Sequence, residues 1–452
     1  MALGGGIWLV QNKTLPGTYI NFVSKDKPIV DMVDRGYGTM ALELDWGLSD
    51  EVFRVDAEMF QKNSQQIFGY DYGHEKLKGL RDLFLHLRTG YFYRLNSSGE
   101  KAKNTLATAK YAGIRGNDIT ISVQNDPDES GKFVVYTYLT TDGVTKAVDK
   151  QTGISSMAEV TDNDYVIFNK AATLAVTAAS KMTGGTNGSS VTTADYQKYI
   201  EYIEPYYYNT MGYAGSDNTI KQLLYVFIRR IRETTSLKPQ LVVYDGDFNY
   251  EGVISIHQNN AISDSGYERG SLVYWLLGAE ASCAINSTVG NMIYDGEFTV
   301  NAKMKQFELE QAIKTGRLAF HFVTDPASGN VNGDIRILMD INTFTEFSKD
   351  KTEDFSYNQV IRVLDNLAVD QSRLFNKYHL DKTINDEQGR ISLWNDGVAL
   401  LNSYQKIRAI QNFDEKDLKI PQQGNSKNAV VWDMEVNPTM CMEKLYIKTL
   451  VA

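Results

Sequence analysis

Residues 218–246 read NTIKQLLYVFIRRIRETTSLKPQLVVYDG. NTIKQLLYVFIRRIRE predicts a helix and PQLVVYDG predicts a strand. The same alternation runs outward in both directions. Upstream, TADYQKYIEYI (193–203) predicts a helix and YNTMGYAG (208–215) leads into a strand. Downstream come a strand in EGVISIHQN (251–259), helices in RGSLVYWLLGAEASCAI (269–285) and KQFELEQAIKTG (305–316), and a strand in RLAFHFVTD (317–325). Strands that alternate with helices predict a mostly parallel sheet covered by helices.

The first hundred residues extend this α/β pattern. GTMALELDW (38–46) predicts a strand with Met40, Leu42 and Leu44 on one face. SDEVFRVDAEMFQKN (49–63) predicts a helix capped by Ser49 and Asp50. HEKLKGLRDLFLHL (74–87) is amphipathic, with Leu77, Leu80, Leu83, Phe84 and Leu87 at three- and four-residue steps. GYFYRL (90–95) is a strand. Residues 96–188 change texture, with short alternating runs between Asn-Asp, Pro-Asp and Asp-Gly turns. They predict a β-rich module inserted into the α/β domain.

Residues 333–437 predict a smaller α/β unit. It holds the strand DIRILMDINTF (334–344), two helices at 356–379 and 393–410, and the strand NAVVWDMEV (428–436). Both ends of the chain are apolar. Ile7, Trp8, Leu9 and Val10 follow a glycine run, expected as a flexible tip, and Pro16-Gly17 is expected in a tight turn. The terminal MCMEKLYIKTLVA (440–452) alternates, with Leu445, Ile447 and Val451 on one face and Lys444, Tyr446, Lys448 and Leu450 on the other. Such a strand must be paired, on its own chain or on a neighbour, because an open apolar edge recruits other chains.

Composition narrows the function. With 452 residues the chain has room for two or three domains, or one domain with an insertion, and 42% hydrophobic with 23% charged residues is globular. Lys plus Arg is 46 against 56 Asp plus Glu, a net charge of −10, which argues against a nucleic-acid binder. The 27 tyrosines hint at contact surface. Cys283 and Cys441 form no disulfide framework and predict a reducing compartment. The start lacks the basic and apolar regions of a signal peptide, and the most apolar stretch, around Glu280, is too short to span a bilayer.

Chemistry is sparse. No phosphate-binding GxxxxGK[ST] or GxSxG occurs, and His74, His86, His257, His321 and His379 lack metal-site spacing. Arg229, Arg230 and Arg232 read as an ion-paired helix face or a contact to an acidic partner. The most enzyme-like spot is Asp245 and Asp247 at a strand end, where open α/β sheets bind ligands. An α/β enzyme with a carboxylate site there is the alternative reading. No catalytic, cofactor or metal residue is assigned.

LPGTYINFV (15–23), AKYAGIRGNDITISV (109–123) and NPTMCMEKLYIKTLVA (437–452), in that order, resemble the sheath proteins of contractile phage tails and phage-tail-like bacteriocins. The most specific pieces are Gly113, Arg115, Gly116, Asn117 and Asp118, and Met442 to Tyr446. The resemblance implies a multi-domain α/β (α+β) fold. Its parts are an N-terminal arm (1–22), a discontinuous central domain (23–95 and 189–332), an inserted β module (96–188), a C-terminal domain (333–437) and a C-terminal arm (438–452).

It implies a structural subunit, not an enzyme, polymerising as stacked rings around a tube and contracting without nucleotide hydrolysis or cofactor. Its partners would be other copies of itself, the tail tube protein, and baseplate and terminator proteins, with no nucleic acid and no membrane insertion. Its place would be a virion or phage-tail-like particle assembled in the bacterial cytoplasm. The arms would add strands to neighbouring C-terminal domains through Ile7, Trp8, Leu9, Val10, Tyr19 and Ile20, and through Met442, Leu445, Tyr446, Ile447, Leu450 and Val451. Arg362, Arg373, Lys377, Lys406 and Arg408 are the candidate tube-facing or inter-subunit polar contacts.

Overall fold

The computed structural model describes residues 4–6, 17–19, 32–324 and 333–451. At its centre is a six-stranded sheet in the order Val253–Ile256, Gln240–Tyr244, Thr210–Tyr213, Tyr37–Leu42, Thr89–Arg94 and Val52–Asp56. All neighbours run parallel except the edge strand Val52–Asp56, which is antiparallel. The strand Gln240–Tyr244 is buried throughout, as a sheet covered on both faces requires. Its Val242 and Tyr244 join one core, and its Leu241 and Val243 join the other.

The first face is covered by the helices Ala57–Phe68, Lys78–Phe84 and Leu272–Ser282. The last of these reaches the sheet closely because Gly38 and Gly212 sit on adjacent strands beneath Leu277. A Cβ on Gly38 or Gly212 would lie 2.6 Å or 2.3 Å from a Leu277 methyl. The second face is covered by Thr193–Ile203 and Asn218–Thr234. Here Tyr93, Tyr196, Tyr199, Tyr208, Tyr213 and Tyr250 are core residues. Much of the tyrosine content is therefore internal packing.

One expectation is corrected. Residues 49–63 do not form a single helix capped by Ser49-Asp50. Val52–Asp56 is the antiparallel edge strand, and the helix begins at Ala57. Phe53 and Val55 are buried on the sheet while Arg54 between them is exposed, so period-two burial outweighed the helical spacing.

The inserted module is an antiparallel sheet in the order Thr177–Lys181, Ile119–Asn125, Phe133–Thr141 and Val144–Ile154, with a smaller pair Ala107–Ala109 and Val166–Phe168. The GxRGND motif fastens it to the central sheet. Gly113 has φ +135°, and a Cβ there would come within 1.9 Å of the Asp45 carbonyl oxygen. Arg115 is buried, donates to the carbonyls of Gly69 (2.7 Å) and Thr140 (2.6 Å), and pairs with Asp118 (2.8 Å). Asn117 exchanges two hydrogen bonds with the main chain of Gly185 (2.7 and 2.8 Å), tying the module's entry to its exit.

The C-terminal part packs the helices Asn358–Leu374 and Glu387–Lys406 around Val363, Leu367, Leu400, Leu401 and Tyr404. The strand Asp334–Ile337, expected in the C-terminal unit, pairs with Phe320–Val323 across the boundary expected at 333.

Candidate assembly interface

Residues 430–437 alternate in burial without interruption. Val430, Trp432, Met434 and Val436 are half-buried against the C-terminal core, and Val431, Asp433, Glu435 and Asn437 are exposed. Val430 and Val431 pair antiparallel with Gln423 and Gln422. From Trp432 to Val436 the main chain finds no hydrogen-bond partner among the described residues. Trp432 anchors the segment. Its indole N–H donates to the Lys419 carbonyl (2.7 Å), and its ring lies on Gly397, where a Cβ would come within 2.0 Å of it. This is an extended chain seated on helices with its edges open, ready for strand addition.

The C-terminal arm has the matching character. Thr439 N–H donates to the Ala409 carbonyl (2.9 Å) and Cys441 N–H to Gln359 Oε1 (3.0 Å). Beyond that root, Met442, Leu445, Tyr446, Ile447, Leu450 and Val451 are 75–101% exposed, and residues 442–451 join no strand. Among the described residues, the arm beyond its root pairs with nothing on its own chain. At the other end, Ile7, Trp8, Leu9, Val10 and Ile20 lie outside the described residues. Tyr19 belongs to the short strand Gly17–Tyr19, which pairs in parallel with Gly4–Gly6. The glycine run and Gly17 are thus strand residues, where a flexible tip and a tight turn were expected.

Of the polar candidates, Arg373, Lys377, Lys406 and Arg408 are exposed. Arg408 stands at the arm's root, where its carbonyl accepts from the Thr439 hydroxyl. Arg362 is corrected: its side chain is fully buried and faces the central domain. It pairs with Glu280 (2.6 Å) and Asp340 (3.2 Å) and donates to the Ser287 carbonyl (2.7 Å). Helical spacing placed Arg362 on the long helix but could not say what packs against that helix. The missed signal was Glu280, a lone carboxylate in an apolar helix, which needs a buried cation.

The same helix joins the central domain elsewhere. Asp365 takes a bidentate pair from Arg232 (2.6 and 2.8 Å), and Asn366 accepts from Arg35 (2.9 Å). Arg232 is thus a domain-junction residue. Arg229 and Arg230 make helix-surface pairs with Glu233 (2.8 Å) and Glu204 (2.6 Å).

Two buried carboxylates share Arg362. Burial, then Asp340 beside it, pushes the Glu280 carboxyl up to about 8. Asp340 stays low despite its burial, held by Arg362 and by hydrogen bonds from Glu280 and Asn358. The folded chain keeps the Glu280 proton to about pH 8, whereas an unperturbed carboxyl releases it near 4.5. Glu280 therefore stabilises the fold fully below its unfolded pKa, and that contribution is lost as pH rises through 8. The Asp340 contribution has the opposite sign and is lost only as pH falls below the usual carboxylate range. The urea midpoint of the native chain is expected to fall between pH 6 and 8.5. Glu280→Gln, which cannot ionise, is expected to flatten that slope.

Asp245 and Asp247 form a turn, not a shared site. Asp245 has φ +48° and offers its carbonyl to Lys221 Nζ (3.1 Å). The Asp247 side chain is 98% exposed and pairs with Arg317 (3.1 Å). Among the described residues no group of three or more His, Cys, Asp or Glu is placed to hold a metal, and no helix is long and apolar enough to cross a membrane.

The sheath tail protein of Desulfitobacterium hafniense is 30% identical, with 93% of this chain and 96% of that chain covered and a TM-score of 0.79. The chain belongs to the phage tail sheath family. Three sheath family models match it from residue 97 onward: the phage tail sheath protein beta-sandwich domain at 97–187, the central domain at 189–343 and the phage tail sheath C-terminal domain at 350–451. The sheath tail protein of Listeria innocua is 27% identical, with 90% and 93% covered and a TM-score of 0.74. The phage-like element PBSX protein XkdK of Bacillus subtilis is 24% identical over 98% of both chains. The chain is a structural sheath subunit, a component of a phage tail or contractile particle.

Proposed function

We propose that this sheath subunit polymerises as stacked helical rings around a rigid tail tube, above a baseplate and below a terminator. Its arms, 1–22 and 438–452, are lent as strands to neighbouring subunits, and the acceptor lies within 333–437, at the open stretch Trp432–Val436. The single observation that carries this reading is an apolar, alternating arm 75–101% exposed at its large side chains on a chain that also holds an open strand. Arm residues Ile7, Trp8, Leu9, Val10, Tyr19 and Ile20 would act at one end, and Met442, Leu445, Tyr446, Ile447, Leu450 and Val451 at the other. Arg373, Lys377, Lys406 and Arg408 are exposed contacts for the tube or the next subunit.

Contraction needs no nucleotide in this reading. The extended lattice is a metastable packing, and the arms keep subunits joined while their bodies rotate, driving the tube through a cell envelope. Assembly takes place in the bacterial host cytoplasm, without nucleic-acid contact or membrane insertion. The functional units are the central domain (23–95 and 189–332), the module (96–188) and the C-terminal domain (333–437). The test is to incubate the full chain with isolated tail tubes and image them by negative-stain electron microscopy. Tubes clothed in a helical coat are expected. Bare tubes beside a monodisperse chain would sink the proposal.

A further inference from the structure

The arm and the open strand carry opposite charge at matching parity. On residues 430–437 the apolar side chains are at even numbers and face the core, and the exposed odd positions include Asp433 and Glu435. The strand's outer face is therefore acidic. On the arm, Leu445, Ile447 and Val451 share one face, and Lys444, Tyr446, Lys448 and Leu450 share the other. Glu443 has the parity of the apolar face but precedes its first apolar residue. An arm laid beside 430–437 with Leu445 and Ile447 continuing the row of Trp432, Met434 and Val436 must put Lys444 and Lys448 on the row of Asp433 and Glu435. This holds in either strand direction, because side chains alternate with period two in both.

We infer that Asp433 and Glu435 are the register-setting receptor for Lys444 and Lys448 on the C-terminal arm of a second copy of this chain. The inference rests on the strand-exchange reading and adds which face of the arm turns inward and what reads it. A one-residue slip would place both lysines over the Trp432–Val436 core face and Leu445 and Ile447 in water, so charge and burial reject the same error. Opposite charges on adjacent strands stabilise pairing and like charges oppose it. With the carboxylates two residues apart and the lysines four apart, one lysine lies directly opposite a carboxylate and the other reaches the second carboxylate on the diagonal.

The test uses three full-length variants: Lys444→Glu/Lys448→Glu, Asp433→Lys/Glu435→Lys, and the combination of all four. Assembly is read as the lowest protein concentration that yields pelletable polymer, with isolated tail tubes present. Each one-sided reversal is expected to raise it about five- to tenfold, and the fourfold variant to return to within about twofold of native. In parallel, a carbodiimide couples lysines to adjacent carboxylates in a mixture of 14N- and 15N-labelled native chains. Mixed-isotope cross-links joining Lys444 or Lys448 to Asp433 or Glu435 are expected.

One-sided reversals that assemble like the native chain, or a fourfold variant no better than either, overturn the inference. So do cross-links from Asp433 or Glu435 to Lys13 of the N-terminal arm in their place. Failure of the underlying reading looks different, because a chain lacking residues 440–452 would then assemble as well as the full chain.

Discussion

A chain cut after Thr439 is expected to fold as stably as the full-length protein and to form no polymer. The large side chains of the arm beyond its root are 75–101% exposed, so their loss removes almost no burial from the isolated subunit. The unfolding free energy should change by no more than about 1 kcal/mol, the net worth of the root hydrogen bond from Cys441 N–H to Gln359 that the cut removes. In the assembly the same residues do much more. Burying Leu445, Ile447 and Val451 contributes about 1.5–3 kcal/mol each, and each main-chain hydrogen bond about 1 kcal/mol net. Ordering the arm costs about 1–2 kcal/mol per residue. One arm on one partner is therefore marginal, and a ring of arms is cooperative. Urea unfolding together with sedimentation of concentrated protein checks both halves. A truncated chain that pellets like the native one, or that unfolds several kcal/mol more easily, is the contrary result.

Replacing Arg362 by Met is expected to produce the largest stability loss of any single change at the domain junction, about 3–5 kcal/mol. Glu280 and Asp340 are each 1% exposed at the side chain, and Arg362 is the cation that pairs with both. Without it, buried negative charge loses its partner and the cavity gains no compensating donor. The second-site change Asp340→Asn in the same chain should recover much of the loss, because Asp340 is the carboxylate that stays ionised at pH 7 and is orphaned. Urea unfolding of the two variants at pH 7 provides the measurement. An Arg362→Met chain within about 1 kcal/mol of native stability would contradict this reading of the junction.

The α/β alternation around 218–246 was legible because helical and strand spacing are local properties, and Gln240–Tyr244 is buried as its apolar run implied. The antiparallel strand Val52–Asp56 was not, because Phe53 and Val55 fit both a helix and a strand until the sheet beside them is seen. NAVVWDMEV was read as a strand, of which only Val430–Val431 is paired. That its main chain stands open from Trp432 to Val436 is a fact about what does not reach it, which no periodicity records. Arg362 shows the same limit from the other side. A charged residue on a long amphipathic helix defaults to the surface, and only the packing of the helix Leu272–Ser282 against it reveals Glu280 as its partner. The GxRGND motif was visible as a pattern. Its role as the clamp between module and sheet came from Gly113 at φ +135° and from Asn117 holding Gly185.

The most direct test of strand exchange is a cryo-electron-microscopy reconstruction of the assembled polymer at a resolution that traces the main chain. Residues 442–451 of one subunit are predicted to form a strand hydrogen-bonded to Trp432–Val436 of another, with Leu445 and Ile447 turned toward the helices beneath. An arm that folds back onto its own subunit, or that leaves Trp432–Val436 open in the polymer, would contradict it.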